Sequence, residues 1–312
     1  MSPDELERVA DRHIPGAGKI DIQRLSHGVV NDTYQVRRGG AAYAMRVAAH
    51  NPPDFGLDRA WEARVLERAA AAGLAPAVEY CDPQRGILIS RWAQGRQWDP
   101  ADVRGRSGIS RMAELVRRIH ALPMPAPARL MNAGMWIDYY TAAARRNVAP
   151  DSDTAAALRT AAGERLAALR SVDPVVCHSD LHTLNLIDGG DALVLLDWEY
   201  AHGGDPFWDL AGWSANNDLE NNLRHDLLAS YTGRPPTRTE YLRLQLLGWL
   251  YDYVCLLWSE LYLNLHRNER SGVDTPGAAP GDPQGGVAAR ARLLAARLHA
   301  SPRSLGSSSR TD

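Results

Sequence analysis

Lysine is almost missing from this chain. Lys19 is the single lysine among 35 basic residues, and arginine supplies the rest, so any chemistry that needs a basic side chain must use Arg or His. There is no basic excess either: 37 Asp and Glu leave a formal charge of −2. That balance excludes the broad positive field of a nucleic-acid binder. Cysteine is scarce, with Cys81, Cys177 and Cys255 far apart and no CxxC pair. This excludes a thiolate zinc framework and a secreted disulfide scaffold, and it suits a reducing cytoplasm. Met1 to Ala10 lacks the cationic start and apolar stretch of a signal peptide. The longest apolar run, Leu244 to Leu265, is broken by Asp252 and Glu260, and charges at mid-membrane are costly. A buried helix is expected there, and no membrane span.

What remains is globular in balance, with 45% hydrophobic and 23% charged residues over 312 positions. The first ninety residues read as strands plus one helix. Thr33–Val36 and Ala42–Val47 flank the turn Arg37-Arg38-Gly39-Gly40 and predict a hairpin. Tyr43, Met45 and Val47 alternate with Ala42, Ala44 and Arg46, which turns Arg46 away from the apolar face. Asp58 caps a predicted helix through Trp61, Glu62, Val65 and Ala69 that stops at Gly73 and Pro76. A strand pair follows at Val78–Tyr80 and Gly86–Ser90.

Beyond Trp92 the pattern turns helical, as in Ile109–Ala121 and Ala155–Leu169. A strand-rich island, Val175–Leu196, interrupts the helices. Ser271–Gly286 is Gly- and Pro-rich and predicts a loop; Val287–His299 predicts a last helix. Residues 301–312 predict a disordered tail. The expected class is therefore α+β with two lobes: a small β-rich N-terminal lobe over residues 1–92 and a larger helical C-terminal lobe over 93–300. A cleft between them is the default ligand site.

The chemistry concentrates in His178-Ser-Asp180-Leu-His182-Thr-Leu-Asn185 and in Leu195-Leu-Asp197-Trp-Glu199. Leu184–Ile187 and Ala192–Leu196 flank Asp188-Gly-Gly-Asp191, so they should pair as a hairpin. Asn185 and Asp197 then meet at its open end, with Asp180 on the loop leading in. Two carboxylates and an amide oxygen make a hard-oxygen site suited to Mg²⁺. Phosphoryl transfer needs such a set: a carboxylate to orient the acceptor hydroxyl, and an Asn and an Asp to hold the metal that neutralises phosphate. His178 reads as a buried scaffold residue. Asp209 reads as an acceptor that holds the loop, and Asp205-Pro206 as a turn.

These residues, continued by Tyr200-Ala-His-Gly-Gly-Asp205-Pro-Phe-Trp-Asp209-Leu-Ala, resemble the aminoglycoside phosphotransferase and choline kinase superfamily. The D-W-E-Y form is most similar to bacterial choline kinases and next to thiamine kinases. Leu25-Ser-His-Gly28-Val-Val-Asn31-Asp-Thr-Tyr34 resembles the family's nucleotide loop, and the likeness runs from about Leu25 to Trp258. It implies a protein-kinase-like bilobal fold that uses ATP and Mg²⁺. It makes Asp180 the catalytic base, Asn185 and Asp197 metal ligands, and Glu199 a further ligand. Gly28 and Asn31 belong to the nucleotide loop. Arg46 stands where many members carry a phosphate-contacting lysine, with Glu62 as its partner. Leu88 to Trp92, with Ser90 and Trp92, becomes the hinge against adenine.

For the acceptor, the resemblance puts Tyr200 and Trp258 in an amine pocket. Aromatic faces attract quaternary ammonium groups, and nine Trp and eleven Tyr stand against two Phe. Choline kinases often show W-x-x-W where this chain has Cys255-Leu-Leu-Trp258. Asp252, Tyr253 and Trp213 are candidates to supply charge and a replacement face. A small amine-bearing alcohol is the expected partner, choline or a related amino-alcohol, with thiamine and aminoglycosides as alternatives. From other classes, a non-catalytic nucleotide or amine binder of the same fold competes, as does a metal hydrolase built on His178, Asp180, His182 and Asp197.

Overall fold

The computed structural model describes residues 1–27, 30–48, 55–147, 153–265 and 283–300. Helix α1 (Pro3–His13) opens with Ser2 and Glu5 satisfying each other's backbone amides and Pro3 in the first turn, a strong start signal. A five-stranded antiparallel sheet follows, in the order β1-β2-β3-β5-β4. Its strands are β1 (Asp21–His27), β2 (Asn31–Arg38), β3 (Ala41–Ala48), β4 (Val78–Asp82) and β5 (Ile87–Arg91). On β3, Tyr43, Met45 and Val47 are buried together with Leu6, Val9 and Ala10 of α1. Arg46 points to the opposite face, paired across to Thr33 and Leu88. The alternation expected from sequence fixes which side of the sheet carries charge.

Between β3 and β4 lies α2 (Arg59–Ala71), capped by Asp58, whose side chain accepts from the Trp61 amide at 2.9 Å. The short strand β6 (Arg96–Gln97) leads into α3 (Pro100–Arg104), α4 (Arg106–His120), α5 (Ala133–Asn147) and α6 (Asp153–Ala168). Next come β7 (Val175–Cys177), β8 (Leu186–Asp188), β9 (Leu193–Leu195) and β10 (His202–Gly204). The chain continues as α7 (Pro206–Asn216), α8 (Asn221–Thr232), α9 (Arg238–Leu265) and α10 (Pro283–Ala300). One large apolar core joins α2, α4, α5, α7 and α9, with Trp61, Trp198, Trp213 and Tyr140 among its most buried side chains. The fold is α+β and kinase-like, β-rich in its N-terminal lobe and helical in its C-terminal lobe.

One expectation needs amendment. The loop expected over Ser271–Gly286 ends earlier, because α10 already begins at Pro283. Proline in a first helical turn lacks only an amide that would have no partner there. Residues 271–282 of that stretch, Gly28 of the expected nucleotide loop and the tail after Ala300 lie outside the described residues. The apolar run Leu244–Leu265 is the buried second part of α9, and among the described residues no helix is long and apolar enough to cross a membrane.

Candidate active site

The hairpin forms, but its first strand starts at Leu186 rather than Leu184, because Thr183–Asn185 make a turn of 3-10 helix ahead of it. Leu186 pairs with Leu195, and the Leu196 amide donates to the Asn185 carbonyl at 2.8 Å. Asn185 and Asp197 therefore flank the open end. Both connecting loops are tight: Ser179 has φ +72° and Asp197 φ +60°, left-handed backbone that non-glycine residues seldom adopt. Asp209 holds the first of these turns. Its two carboxylate oxygens accept the amides of His178 (2.9 Å) and Ser179 (2.7 Å). His178 is fully buried beside Leu196, its Nε2 2.9 Å from that residue's carbonyl oxygen, and burial pushes its imidazole pKa below the usual value. It is scaffold.

Asp180 projects from this loop beside His182, whose Nε2 lies 3.4 Å from Asp180 Oδ2. Burial works to raise the Asp180 carboxyl, but the facing His182 outweighs it and holds the group below its ordinary range. The Asn185 amide nitrogen donates to the Asp180 carbonyl at 3.1 Å. The donor side of the Asn185 amide is thus committed to the loop, and Oδ1 remains as its acceptor.

On the opposite wall, Arg46 reaches across from β3. It donates from Nη1 to Asp197 Oδ1 (2.7 Å) and from Nη2 to Glu62. Behind it lies a group that the sequence alone did not point to. Arg59, the first residue of α2, donates from Nη1 to Glu62 (2.9 Å) and Glu199 (2.8 Å), and from Nη2 to Asn31 Oδ1 (2.8 Å). Asn31 in turn donates to Glu199 at 2.6 Å. Five side chains from β2, β3, α2 and the strand end after β9 form one buried polar network that ties the sheet to the hairpin. Glu199 is its least comfortable member: burial and the nearby Asp197 push its carboxyl up to about 7, against the pull of Arg46 and Arg59. Glu62 goes the other way. Burial would raise it, but two guanidiniums keep it low. The signal for Arg59 was its place next to the Asp58 cap, which sends the first helical side chain inward.

These groups line one cleft of about 690 Å³. Asn31, Arg46, Asp180, Asn185, Asp197 and Glu199 line it, and so do Tyr200 and Trp258. Trp258 Nε1 donates to the Tyr200 hydroxyl at 2.7 Å. Trp136 and Tyr140 of α5 complete the aromatic wall; Trp136 stacks on Tyr140 at 5.6 Å and tilts against Tyr200 at 6.3 Å.

Five expected residues stand elsewhere, whereas Glu62 pairs with Arg46 as expected. Trp213 is fully buried edge-on to Trp98 (6.0 Å), and Tyr253 is buried against Trp249 (5.6 Å). Asp252 is bound by Arg297 through both oxygens, at 2.5 and 3.0 Å. The reason is helical phase. On α9, Tyr251, Cys255 and Trp258 share one stripe and face the cleft, whereas Asp252 and Tyr253 are rotated about 100° and 200° away from Tyr251. Ser90 sits mid-strand between Ala44 and Val78, and the Trp92 amide donates to the Ala42 carbonyl at 3.0 Å; neither lines the cleft. Glu62 lies one layer behind it. Tyr251, Asn216 and Arg290 line it without having been expected.

The model of the phosphotransferase enzyme family matches residues 21–246. A solved choline/ethanolamine kinase family protein from Mesorhizobium loti is 25% identical, with 95% of this chain and 93% of that chain covered and a TM-score of 0.71. Choline kinase LicA from Streptococcus pneumoniae is 21% identical, with 94% and 98% covered and a TM-score of 0.71. Among curated proteins, acyl-CoA dehydrogenase family member 11 of Gallus gallus is 24% identical over 237 residues, 66% of this chain. The chain spans 30% of that relative's length.

Proposed function

The chain belongs to the phosphotransferase enzyme family, and from that premise we propose that it is a Mg·ATP-dependent kinase that phosphorylates a hydroxyl on a small amine-bearing acceptor, choline or a related amino-alcohol. The observation that carries the reading is that Asp180, Asn185, Asp197 and Arg46, joined by hydrogen bonds, line one cleft together with Tyr200, Trp258, Trp136 and Tyr140.

Asp180 is the proposed base. The acceptor hydroxyl oxygen forms a bond to the γ-phosphorus, the bridging oxygen to the β-phosphate leaves with ADP, and the hydroxyl proton passes to the Asp180 carboxylate. A carboxyl held below its usual range is a weak base, so its main contribution is to orient the hydroxyl in a loose transition state. The donor set fits Mg²⁺: Asn185 Oδ1 and the half-exposed Asp197 carboxylate are hard oxygens on one hairpin end. Bound there, the metal would neutralise phosphate charge. Glu199 fits less well, because Asn31 and Arg59 already occupy one of its oxygens. Arg46, with the loop around Gly28 and Asn31, is the proposed phosphate clamp. Residues 1–92 form the proposed nucleotide lobe and residues 93–300 the proposed acceptor lobe. The aromatic wall of Tyr200, Trp258, Trp136 and Tyr140 supports an organic cation as acceptor. ATP as co-substrate and three free cysteines support a cytoplasmic setting.

The test is Mg-dependent ADP release from ATP with choline, ethanolamine, thiamine and aminoglycosides offered in turn. Stimulation by one amine, abolished in Asp180→Ala while nucleotide still binds, is the expected result. Full-rate ATP hydrolysis with no acceptor, or unchanged turnover in Asp180→Ala, would overturn the reading.

A further inference from the structure

The cleft is lined by an arginine that has no acid in ion-pair distance among the described residues, and the Asp180 carboxylate acts on it only from farther away. Arg290 projects from α10 at the cleft mouth. Its Nη2 donates to Asn216 Oδ1 at 2.6 Å, and among the described residues no carboxylate lies within ion-pair distance of it. The Asn216 amide is fixed from the other side. Its Nδ2 donates to the Leu181 carbonyl (2.9 Å) and to the Tyr251 hydroxyl (3.0 Å), which leaves Oδ1 to orient the guanidinium. Two turns further along α10, Arg297 occupies the same helix face and is tied down by Asp252 and Asp218. Arg46, which also lines the cleft, has Glu62 and Asp197. Arg290 is thus a guanidinium oriented by Asn216 and close to the Cys255 thiol, lining the same cleft as Asp180 with no carboxylate hydrogen-bonded to it among the described residues.

Such a group is poor company for an acceptor whose only charge is positive. A planar guanidinium fork matches a carboxylate, which it can grip through two parallel hydrogen bonds. We propose, on the kinase reading above, that the acceptor is a zwitterion: a hydroxyl for Asp180, an ammonium group against the aromatic wall, and a carboxylate held by Arg290 on its Asn216 support. The substrate class is then a hydroxy amino acid or hydroxy betaine. The transfer is unchanged: the hydroxyl oxygen takes the γ-phosphoryl group, ADP leaves, and the carboxylate is not consumed.

The experiment compares matched pairs that differ by the carboxylate: serine and ethanolamine, homoserine and 3-amino-1-propanol, carnitine and β-methylcholine. Each is titrated calorimetrically into the full chain with Mg²⁺ and a non-hydrolysable ATP analogue, and each is assayed for ADP release with ATP. For at least one pair the carboxylated member should bind at least about tenfold tighter, as a charge-assisted hydrogen bond allows, and Arg290→Gln should erase that difference. Arg290→Glu should reverse it in favour of the decarboxylated member. Equal affinities in every pair, a preference that survives Arg290→Gln, or no binding by any member would overturn the carboxylate subsite. Arg290-dependent binding without phosphorylation would leave the subsite standing and remove the kinase reading; amine-stimulated ADP release without a carboxylate preference would do the reverse.

Discussion

Arg46 and Asp197, 151 positions apart, share a hydrogen bond of 2.7 Å between Nη1 and Oδ1. The bond crosses the cleft from the sheet to the strand end after β9, and the other guanidinium nitrogen is committed to Glu62 on α2. One planar group thereby reads two carboxylates at once, which a lysine ammonium on its single nitrogen does with poorer geometry.

Arg46→Lys should therefore keep the charge but loosen one of the two contacts. An increase in the ATP KM of about tenfold is expected, in the range of one charge-assisted hydrogen bond, with a much smaller change in acceptor KM. Steady-state kinetics with each substrate varied in turn separates the two. An equal rise in both constants would argue against a role specific to the nucleotide end.

Arg59 is only 7% exposed and compensates Glu62 and Glu199 together. Arg59→Met leaves two buried carboxylates with Arg46 alone, and breaking such a pair costs about 3–5 kcal/mol. Urea unfolding should show that loss, and Glu199→Gln added to Arg59→Met should recover part of it, since the uncompensated charge is then gone. A single variant as stable as the parent would show that the network does not hold the lobes together.

Gly212 on α7 is a place where two effects oppose. Alanine favours a helix by about 1 kcal/mol, but its Cβ would stand 2.7 Å from the Tyr251 ring. That ring is pinned by Trp208 at 5.2 Å, so it cannot give way freely, and overpacking of this kind costs about 1–3 kcal/mol. Gly212→Ala should lower Tm. It should also raise the acceptor KM, because the Tyr251 hydroxyl accepts from Asn216, and leave the ATP KM nearly unchanged. A rise in Tm would show that the ring moves aside.

His202 carries a pH signature. Its ring is buried, with Nδ1 2.8 Å from Ser179 Oγ, and burial pushes its pKa down to about 4 from the usual 6.5. Between those values the unfolded chain binds the proton and the folded chain does not. Stability is therefore fully present above about pH 6.5 and falls on acidification, by about 3 kcal/mol at pH 4. Denaturant unfolding of the parent and of His202→Gln across that range isolates the contribution: the parent's slope should be steeper. Parallel slopes would mean that the imidazole is protonated in the fold.

The sequence alone was enough wherever periodicity or a local turn decides the outcome. The Asp58 cap, the hairpin that brings Asn185 to Asp197, the side of β3 that carries Arg46, and Asp180 on the loop ahead of that hairpin all follow from spacing over a few residues. Tyr200 and Trp258, expected from a resemblance, do line the cleft. Helical phase was also available in principle: once Trp258 is set to face the cleft, Tyr251 and Cys255 follow and Asp252 does not. What tertiary structure alone decided is every relationship between distant elements. Nothing local says that Arg59 lies between Asn31 and Glu199, that Trp136 and Tyr140 line the cleft beside Tyr200, or that Asp252 is taken by Arg297. Nor does anything local set Arg290 against Asn216. Charge compensation and packing act through space, and which partners meet depends on how the helices and the sheet pack around one apolar core.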